Sequence, residues 1–221
     1  MSTAARHLTW QPSLLDAGPD PGVDETFAGA VRIELDRASW IERVPGWVSG
    51  SDALFAELVR TAGWGQRTRT MWDHEVAEPR LTAWWSAGSG RPLEPPILER
   101  MRRALSERYG VEFDSMGLNL YRDGRDSVAW HGDRIAWEIA DPLVAIVSVG
   151  EPRRFLLRPK HAAPGEGPRR ARRLLLGRGE LLVTGGATQR AWEHSVPKVA
   201  AAGPRMSLTF RHGQVRVPGG R

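Results

Sequence analysis

Apolar positions along the chain follow two different rules. From Ser51 they recur at helical spacing: Leu54, Phe55, Leu58 and Val59 make one stripe, Ser51 or Asp52 stands where a cap is wanted, and Gly63 ends the run. A second helix is predicted from about Pro95 to Tyr109, with Ile97, Leu98, Met101 and Leu105 on its buried face, prolines in its first turn and Gly110 as its stop. From Met116 onward the period becomes that of short strands separated by Asp-Gly, Pro-Gly and Gly-Gly. Met116–Arg122, Ser127–His131, Leu143–Val149, Arg153–Arg158, Leu174–Leu176, Glu180–Thr184 and Met206–Phe210 all read as β. The expected fold is α+β and mainly β: a sandwich or jelly roll with the two helices packed on one outer face.

Ahead of the first helix, residues 1–50 are rich in Pro, Gly and Asp and read as an N-terminal extension of loops with short strands such as Val31–Leu35. Residues 51–221 then form a single domain with its core at about 116–212. Trp64 to Trp85 is irregular, crowded with Arg, Asp, His and Trp, and fits either a hairpin or a lid.

Composition narrows the classes without choosing among them. With 41% apolar and 26% charged residues the chain is globular, and the absence of cysteine removes disulfides, thiolate zinc sites, iron–sulfur ligation and cysteine nucleophiles. No apolar run reaches a membrane span, and no signal peptide is legible, so a soluble cytoplasmic protein is expected. The net charge of +5 suits a polyanionic partner. Much of it sits in residues 152–173, where eight Arg or Lys face one acid, Glu166: either a solvated loop or a phosphate contact. Ten tryptophans against two tyrosines suggest core filling, with a few left as flat platforms for bases.

Two sets of residues carry candidate chemistry. His131 and Asp133 lie two apart on a strand, so both side chains leave the same face, and His194 arrives from a distant part of the sheet. Two histidines and one carboxylate leave three positions open on a metal, the donor choice typical of non-haem Fe(II) oxygenases. The alternative for each histidine taken singly is a surface or hydrogen-bonded core residue. On the strand at 205–211, Arg205, Ser207, Thr209 and Arg211 share one face while Met206, Leu208 and Phe210 share the other. If the polar face points inward, two guanidinium groups need an anion, and a small dicarboxylate matches their planar forks. Asn119 and Tyr121 stand where they can add hydrogen bonds to that ligand. An exposed edge strand with both arginines in water is the competing reading.

Asn119–Gly124, His131-Gly132-Asp133, Ile146–Gly150 with Arg153-Arg154-Phe155, Gly179–Val183 with Gly185-Gly186, His194–Pro197 and Pro204–Arg211 together resemble the AlkB family of Fe(II)- and 2-oxoglutarate-dependent dioxygenases that dealkylate nucleobases. The resemblance runs from about residue 64 to 212. It implies a double-stranded β-helix with a nucleotide-recognition lid. His131, Asp133 and His194 would be the catalytic iron ligands, and Asn119, Tyr121, Arg205, Ser207 and Arg211 the 2-oxoglutarate site. Ser207 replaces the family's usual Asn, and a hydroxyl is a shorter donor than an amide. Met71-Trp72-Asp73 and Pro79–Trp85 resemble the lid, with Trp85, and more weakly Trp72, as stacking residues; ordinary packing is the alternative for both. Arg134-Ile135 stands where many relatives carry an acidic pair that reads the base; Ile135 accepts no hydrogen bond, and Arg134 is placed to meet a phosphate.

The activity so implied is repair of alkylated DNA by oxidative demethylation of bases of the 1-methyladenine and 3-methylcytosine type, with O2 as second co-substrate and formaldehyde and succinate as products. The implied partner is nucleic acid, DNA before RNA, with no membrane and a monomeric protein. An RNA- or tRNA-directed dioxygenase remains open, as does one hydroxylating a protein or small molecule. A non-catalytic nucleic-acid binding module would leave the coincidence of His131, Asp133, His194 and the paired arginines without a reason.

Overall fold

Val144–Gly150 is apolar at nearly every position because it is covered on both faces, as the central strand of a layered protein must be. The computed structural model describes residues 8, 10, 20–71, 73–133, 138–161 and 170–214. In chain order the first elements are β1 (Gly22–Val23), β2 (Val31–Glu34), β3 (Ser39–Val44), β4 (Val48–Ser49) and helix α1 (Ser51–Thr61). β5 (Thr68–Met71), β6 (His74–Ala77), β7 (Leu81–Ser86) and helix α2 (Pro96–Tyr109) follow. Next come β8 (Phe113–Tyr121), β9 (Val128–His131), β10 (Val144–Gly150), β11 (Arg153–Pro159) and β12 (Arg172–Leu176). The last elements are β13 (Glu180–Gly186), the short α3 (Thr188–Ala191), β14 (Trp192–Val196) and β15 (Arg205–His212).

Two antiparallel sheets form the jelly roll: seven strands in the order β2-β3-β13-β10-β15-β8-β7 and four in the order β12-β11-β14-β9. Alternation along the strands sorts the interior into two cores. Ala145, Val147, Val149, Met206, Leu208 and Phe210 face α1 and α2, meeting Leu54, Phe55, Leu58, Leu98, Met101 and Leu105. Val144, Ile146 and Leu182 face the other way, towards Phe155, Leu157, Leu176 and Val196 of the small sheet. Each of these side chains larger than alanine, fully buried, contributes on the order of 1.5–3 kcal/mol. The helices therefore lie on one outer face, and the polar site lies between the sheets.

Four local features depart from the sequence reading or decide between its options. Neither Ser51 nor Asp52 caps α1; Gly50 does, in the left-handed conformation (φ 59°), where a Cβ would stand 2.8 Å from the carbonyl oxygen of Asp20. Residues 31–44 are integral to the large sheet: β3 pairs with β13 from Leu181↔Val44 to Gly186↔Ser39, so the sheet crosses the boundary drawn at residue 51. Within Trp64–Trp85 an exposed hairpin, β5–β6, leads into β7, the far edge strand of the large sheet. The basic segment divides. Arg153 is buried and Arg158 pairs with Glu193 at 2.7 Å, whereas Arg154, Arg170, Arg172 and Arg173 are exposed and residues 162–169 lie outside the described set. Among the described residues no helix is long and apolar enough to cross a membrane.

Candidate active site

Pairing across the two sheets brings the candidate residues into one space. In the small sheet His131 of β9 is the register partner of His194 of β14, and their rings lie 4.3 Å apart between centroids. His194 also stacks on Phe155 at 5.1 Å. Asp133 follows β9 after one glycine, and its Oδ2 lies 3.8 Å from His194 Nε2. His131 Nδ1 is 2.8 Å from the carbonyl oxygen of Ala129; as its donor, that nitrogen leaves Nε2 free to act as a ligand.

Asp133 is shared between two environments. Arg211 holds its Oδ1 through Nε at 3.0 Å and through Nη2. Oδ2 is buried and has no hydrogen-bond partner among the described residues. Burial acts to raise the Asp133 pKa, but Arg211, His194 and His131 outweigh it and hold the carboxyl below its usual range. Burial pushes His194 down to about 4 despite Asp133, so its imidazole is neutral near pH 7. An ionised carboxylate with one orphaned buried oxygen, facing the neutral His194 imidazole, fits a divalent cation. Among the described residues no three His, Asp or Glu side chains are placed so as to hold one ion together. Arg211 engages Oδ1, which leaves Oδ2, the oxygen 3.8 Å from His194 Nε2, as the available donor.

The opposite wall is built by β8, β10 and β15, where Tyr121↔Arg205, Asn119↔Ser207 and Ser148↔Ser207 are register partners. Arg205 is 1% exposed, and no carboxylate stands within ion-pair distance among the described residues. Its Nη2 donates to Ser148 Oγ at 2.6 Å, its Nε has no hydrogen-bond partner among the described residues, and its guanidinium carbon lies 5.5 Å from the Tyr121 ring centroid. Burial lowers its pKa to about 10, which still leaves a full positive charge. Burial raises the Tyr121 pKa against the pull of Arg205, Arg80 and Arg153, so the hydroxyl stays protonated and can donate. Glu180 acts on Arg205 only from beyond ion-pair distance, so a buried cation beside a phenol donor is suited to receive a carboxylate. Ser207 is buried, and Asn119 Nδ2 reaches its Oγ only at 3.5 Å.

Of the two adjacent tryptophans, the one that sequence reading favours does not face the site. Trp85 pairs with Met116, on the face packed against the helices, and its indole donates to Arg91 O at 2.9 Å. Trp84 pairs with Gly117 on the Asn119 face and is 46% exposed, its ring centroid 5.9 Å from the Arg211 guanidinium carbon. One residue along a strand reverses the face. The pattern was available in the sequence: Leu81, Ala83 and Trp85 share the apolar alternation, leaving Thr82 and Trp84 opposite. Trp72, Arg134 and Ile135 lie outside the described residues.

Three residues with no role assigned from sequence support the site. Arg80 donates to Asn119 Oδ1 at 3.1 Å and so turns the Asn119 amide nitrogen towards Ser207. Arg153 donates to the carbonyls of Asp123 (2.8 Å), Asp126 (3.0 Å) and Pro197 (3.0 Å), tying the turn after β8 to the segment after β14. Gln189 bonds the backbone of Asp133. These contacts span 27 to 56 positions, and no local pattern signals them.

Fold and donor set define a class, the oxygenases that use Fe(II) and 2-oxoglutarate: the 2OG-Fe(II) oxygenase superfamily matches residues 74–211. Alpha-ketoglutarate-dependent dioxygenase alkB homolog 3 is 35% identical over 211 residues in both Bos taurus and Homo sapiens, covering 87% of this chain and 73% of each relative. DNA oxidative demethylase ALKBH2 of Arabidopsis thaliana is 38% identical over 191 residues, 72% of this chain and 60% of the relative. The chain belongs to the AlkB family of 2-oxoglutarate-dependent dioxygenases, with Fe(II) as metal and 2-oxoglutarate and O2 as co-substrates. The solved structure of OsALKBH1 shares the fold, with a TM-score of 0.56 at 15% identity over 82% of this chain and all of that one.

Acid should unfold this site. Between pH 6.5, the ordinary histidine value, and about 4, the unfolded chain takes up a proton that native His194 refuses. Stability is therefore at its plateau above pH 6.5 and falls below it, by about 1.4 kcal/mol per pH unit per proton. His212, also lowered by burial, adds to the same window, and Asp133 extends the loss below its unfolded value. Scanning calorimetry from pH 7.5 to 4 should show this fall, with a shallower slope in His194→Ala; equal slopes would contradict it.

Proposed function

We propose that this dioxygenase demethylates nucleic acid, removing methyl groups from the Watson–Crick nitrogens of bases of the 1-methyladenine and 3-methylcytosine type in DNA, and releasing formaldehyde and succinate. Trp84 carries the reading: a half-exposed indole on the site face, beside the arginine that holds Asp133. A planar aromatic there suits a base removed from its stack, and a positively charged methylated base is drawn further to an aromatic face. The exposed arginines 154, 170, 172 and 173 suit a phosphate backbone. The name of the Arabidopsis relative, a DNA oxidative demethylase, favours DNA over RNA.

In this reading His131, Asp133 and His194 hold Fe(II). Arg205, with Tyr121 and Asn119, grips the far carboxylate of 2-oxoglutarate, and Ser207 adds a short hydroxyl contact. Arg211 keeps Asp133 ionised and turned so that Oδ2 meets the metal. When bound, the metal with 2-oxoglutarate and O2 supplies the oxidant that hydroxylates the N-methyl carbon. The hydroxymethyl group then leaves as formaldehyde and the base is restored. Trp84 holds the base plane so that its methyl group faces the donors.

The test is a panel of methylated single- and double-stranded DNA, methylated RNA and methylated peptide, with formaldehyde as readout. Formaldehyde from the 1-methyladenine and 3-methylcytosine DNA oligonucleotides is expected. Trp84→Ala should cost about 1–3 kcal/mol of base binding, a roughly 5- to 150-fold loss in kcat/KM. Release from RNA or peptide alone would overturn the DNA assignment, and unchanged kcat/KM in Trp84→Ala would remove that residue from the substrate site.

A further inference from the structure

The segment that presents Asp133 is held by one buried side chain from the far side of the site. The Gln189 side-chain oxygen accepts the backbone N–H of Asp133 at 3.0 Å, and its Nε2 donates to Thr184 Oγ1 at 2.7 Å. Gln189 is 5% exposed, and its own carbonyl oxygen accepts from Lys160 Nζ at 3.0 Å. The same carbonyl sets how closely the segment may approach: a Cβ at Gly132 would lie 2.9 Å from it and 3.1 Å from Lys160 Nζ. Asp133 stands two residues beyond the end of β9, where no ladder partner fixes its backbone. Gln189 lies five positions before His194, on the turn that starts β14. One amide thus spans the two segments that carry the candidate metal donors and anchors both to the end of β13.

We infer that Gln189 is a positioning residue for the metal: through the Asp133 N–H it fixes where that carboxylate stands relative to His194, and so sets metal affinity. The inference rests on the proposal that Asp133 is a metal ligand. The side chain suits the task because an amide accepts at one end and donates at the other, without adding a charge beside the carboxylate. Arg211 governs the direction of the carboxylate, and Gln189 governs the backbone from which it hangs.

Calorimetric titration of the full chain with Mn(II), a redox-stable stand-in for Fe(II), in the presence of 2-oxoglutarate tests this. Gln189→Met fills the same space without the acceptor and should bind the metal about 10- to 100-fold more weakly. Gln189→Glu restores an acceptor oxygen and should recover most of the affinity. Wild-type affinity in the methionine variant overturns the inference, as does a glutamate variant as weak as the methionine one. Hydrogen exchange of the Asp133 amide in the wild type supplies a second measurement that depends on no variant: slow exchange is expected, and exchange at the rate of an open loop overturns the inference. A wild type that takes up no Mn(II) overturns the ligand proposal itself, which separates the two failures.

Discussion

With Arg205 replaced by methionine, the ligand-free protein is expected to melt at a higher temperature than the wild type and to lose all response to 2-oxoglutarate. Arg205 is a buried cation whose close partners, Ser148 and Tyr121, are neutral, with Glu180 acting only from beyond ion-pair distance. Such a charge costs more to desolvate than its hydrogen bonds return, and an apolar side chain of similar length removes the cost. Replacing buried charged groups with apolar ones has stabilised other proteins by about 1–4 kcal/mol, and for a chain of this size each kcal/mol moves the midpoint about 2–4 °C. In the wild type the missing stabilisation arrives with the dicarboxylate, so 2-oxoglutarate should raise the midpoint by mass action while the Arg205→Met midpoint stays flat. Thermal scans at increasing 2-oxoglutarate, run with Mn(II), separate the outcomes. A variant less stable than the wild type, or one that still responds to the diacid, would sink the clamp.

Removal of Asp133 should act in the opposite direction on stability. Its carboxylate is the acid for Arg211, whose remaining bond is to Thr209 O at 3.3 Å. Asp133→Ala leaves that guanidinium largely buried and unpaired, and loss of one member of a buried pair costs about 3–5 kcal/mol. Turnover and Mn(II) binding should vanish with it. Asp133→Asn keeps an acceptor for Arg211 and should recover part of the stability but no metal binding. Denaturant titration beside metal titration makes the distinction. An Asp133→Ala protein as stable as the wild type would mean that Arg211 finds another acid, and one that still binds metal would remove Asp133 from the donor set. The two substitutions, on facing walls of one cavity, thus both end activity while moving stability in opposite senses.

The helices and the central strands were legible from spacing alone, because burial on one face writes a 3.6-residue period and burial between layers writes continuous apolar runs. The β15 pattern also separated Arg205 and Ser207 from Met206 and Leu208 correctly, since alternation there is unbroken. β14 escaped because Trp192-Glu193-His194-Ser195-Val196 puts a ligand candidate and polar residues where a strand is expected to show apolar alternation. β3 escaped because its neighbours are Pro- and Gly-rich, and its pairing with β13 spans more than a hundred residues of chain. Trp84 and Trp85 are two identical side chains in a row, and which of them faces the site stays hidden until the strand is phased against Leu81 and Ala83. Arg80, Arg153 and Gln189 act through bonds to residues far along the chain, which composition and periodicity cannot display.

Residues 36–40 have a reach beyond their own strand. Asp36 accepts the Trp192 indole N–H at 2.6 Å, the Ala38 carbonyl accepts the Ala187 N–H at 2.8 Å, and Trp40 exchanges bonds with Thr188 at 3.1 and 3.0 Å. They brace the short helix and the start of β14 from which Gln189 and His194 project. Truncating the chain at the first helix would strip a sheet edge and unmoor one half of the donor set together. Shortened versions made for crystallisation or fusion therefore have to begin upstream of Val31.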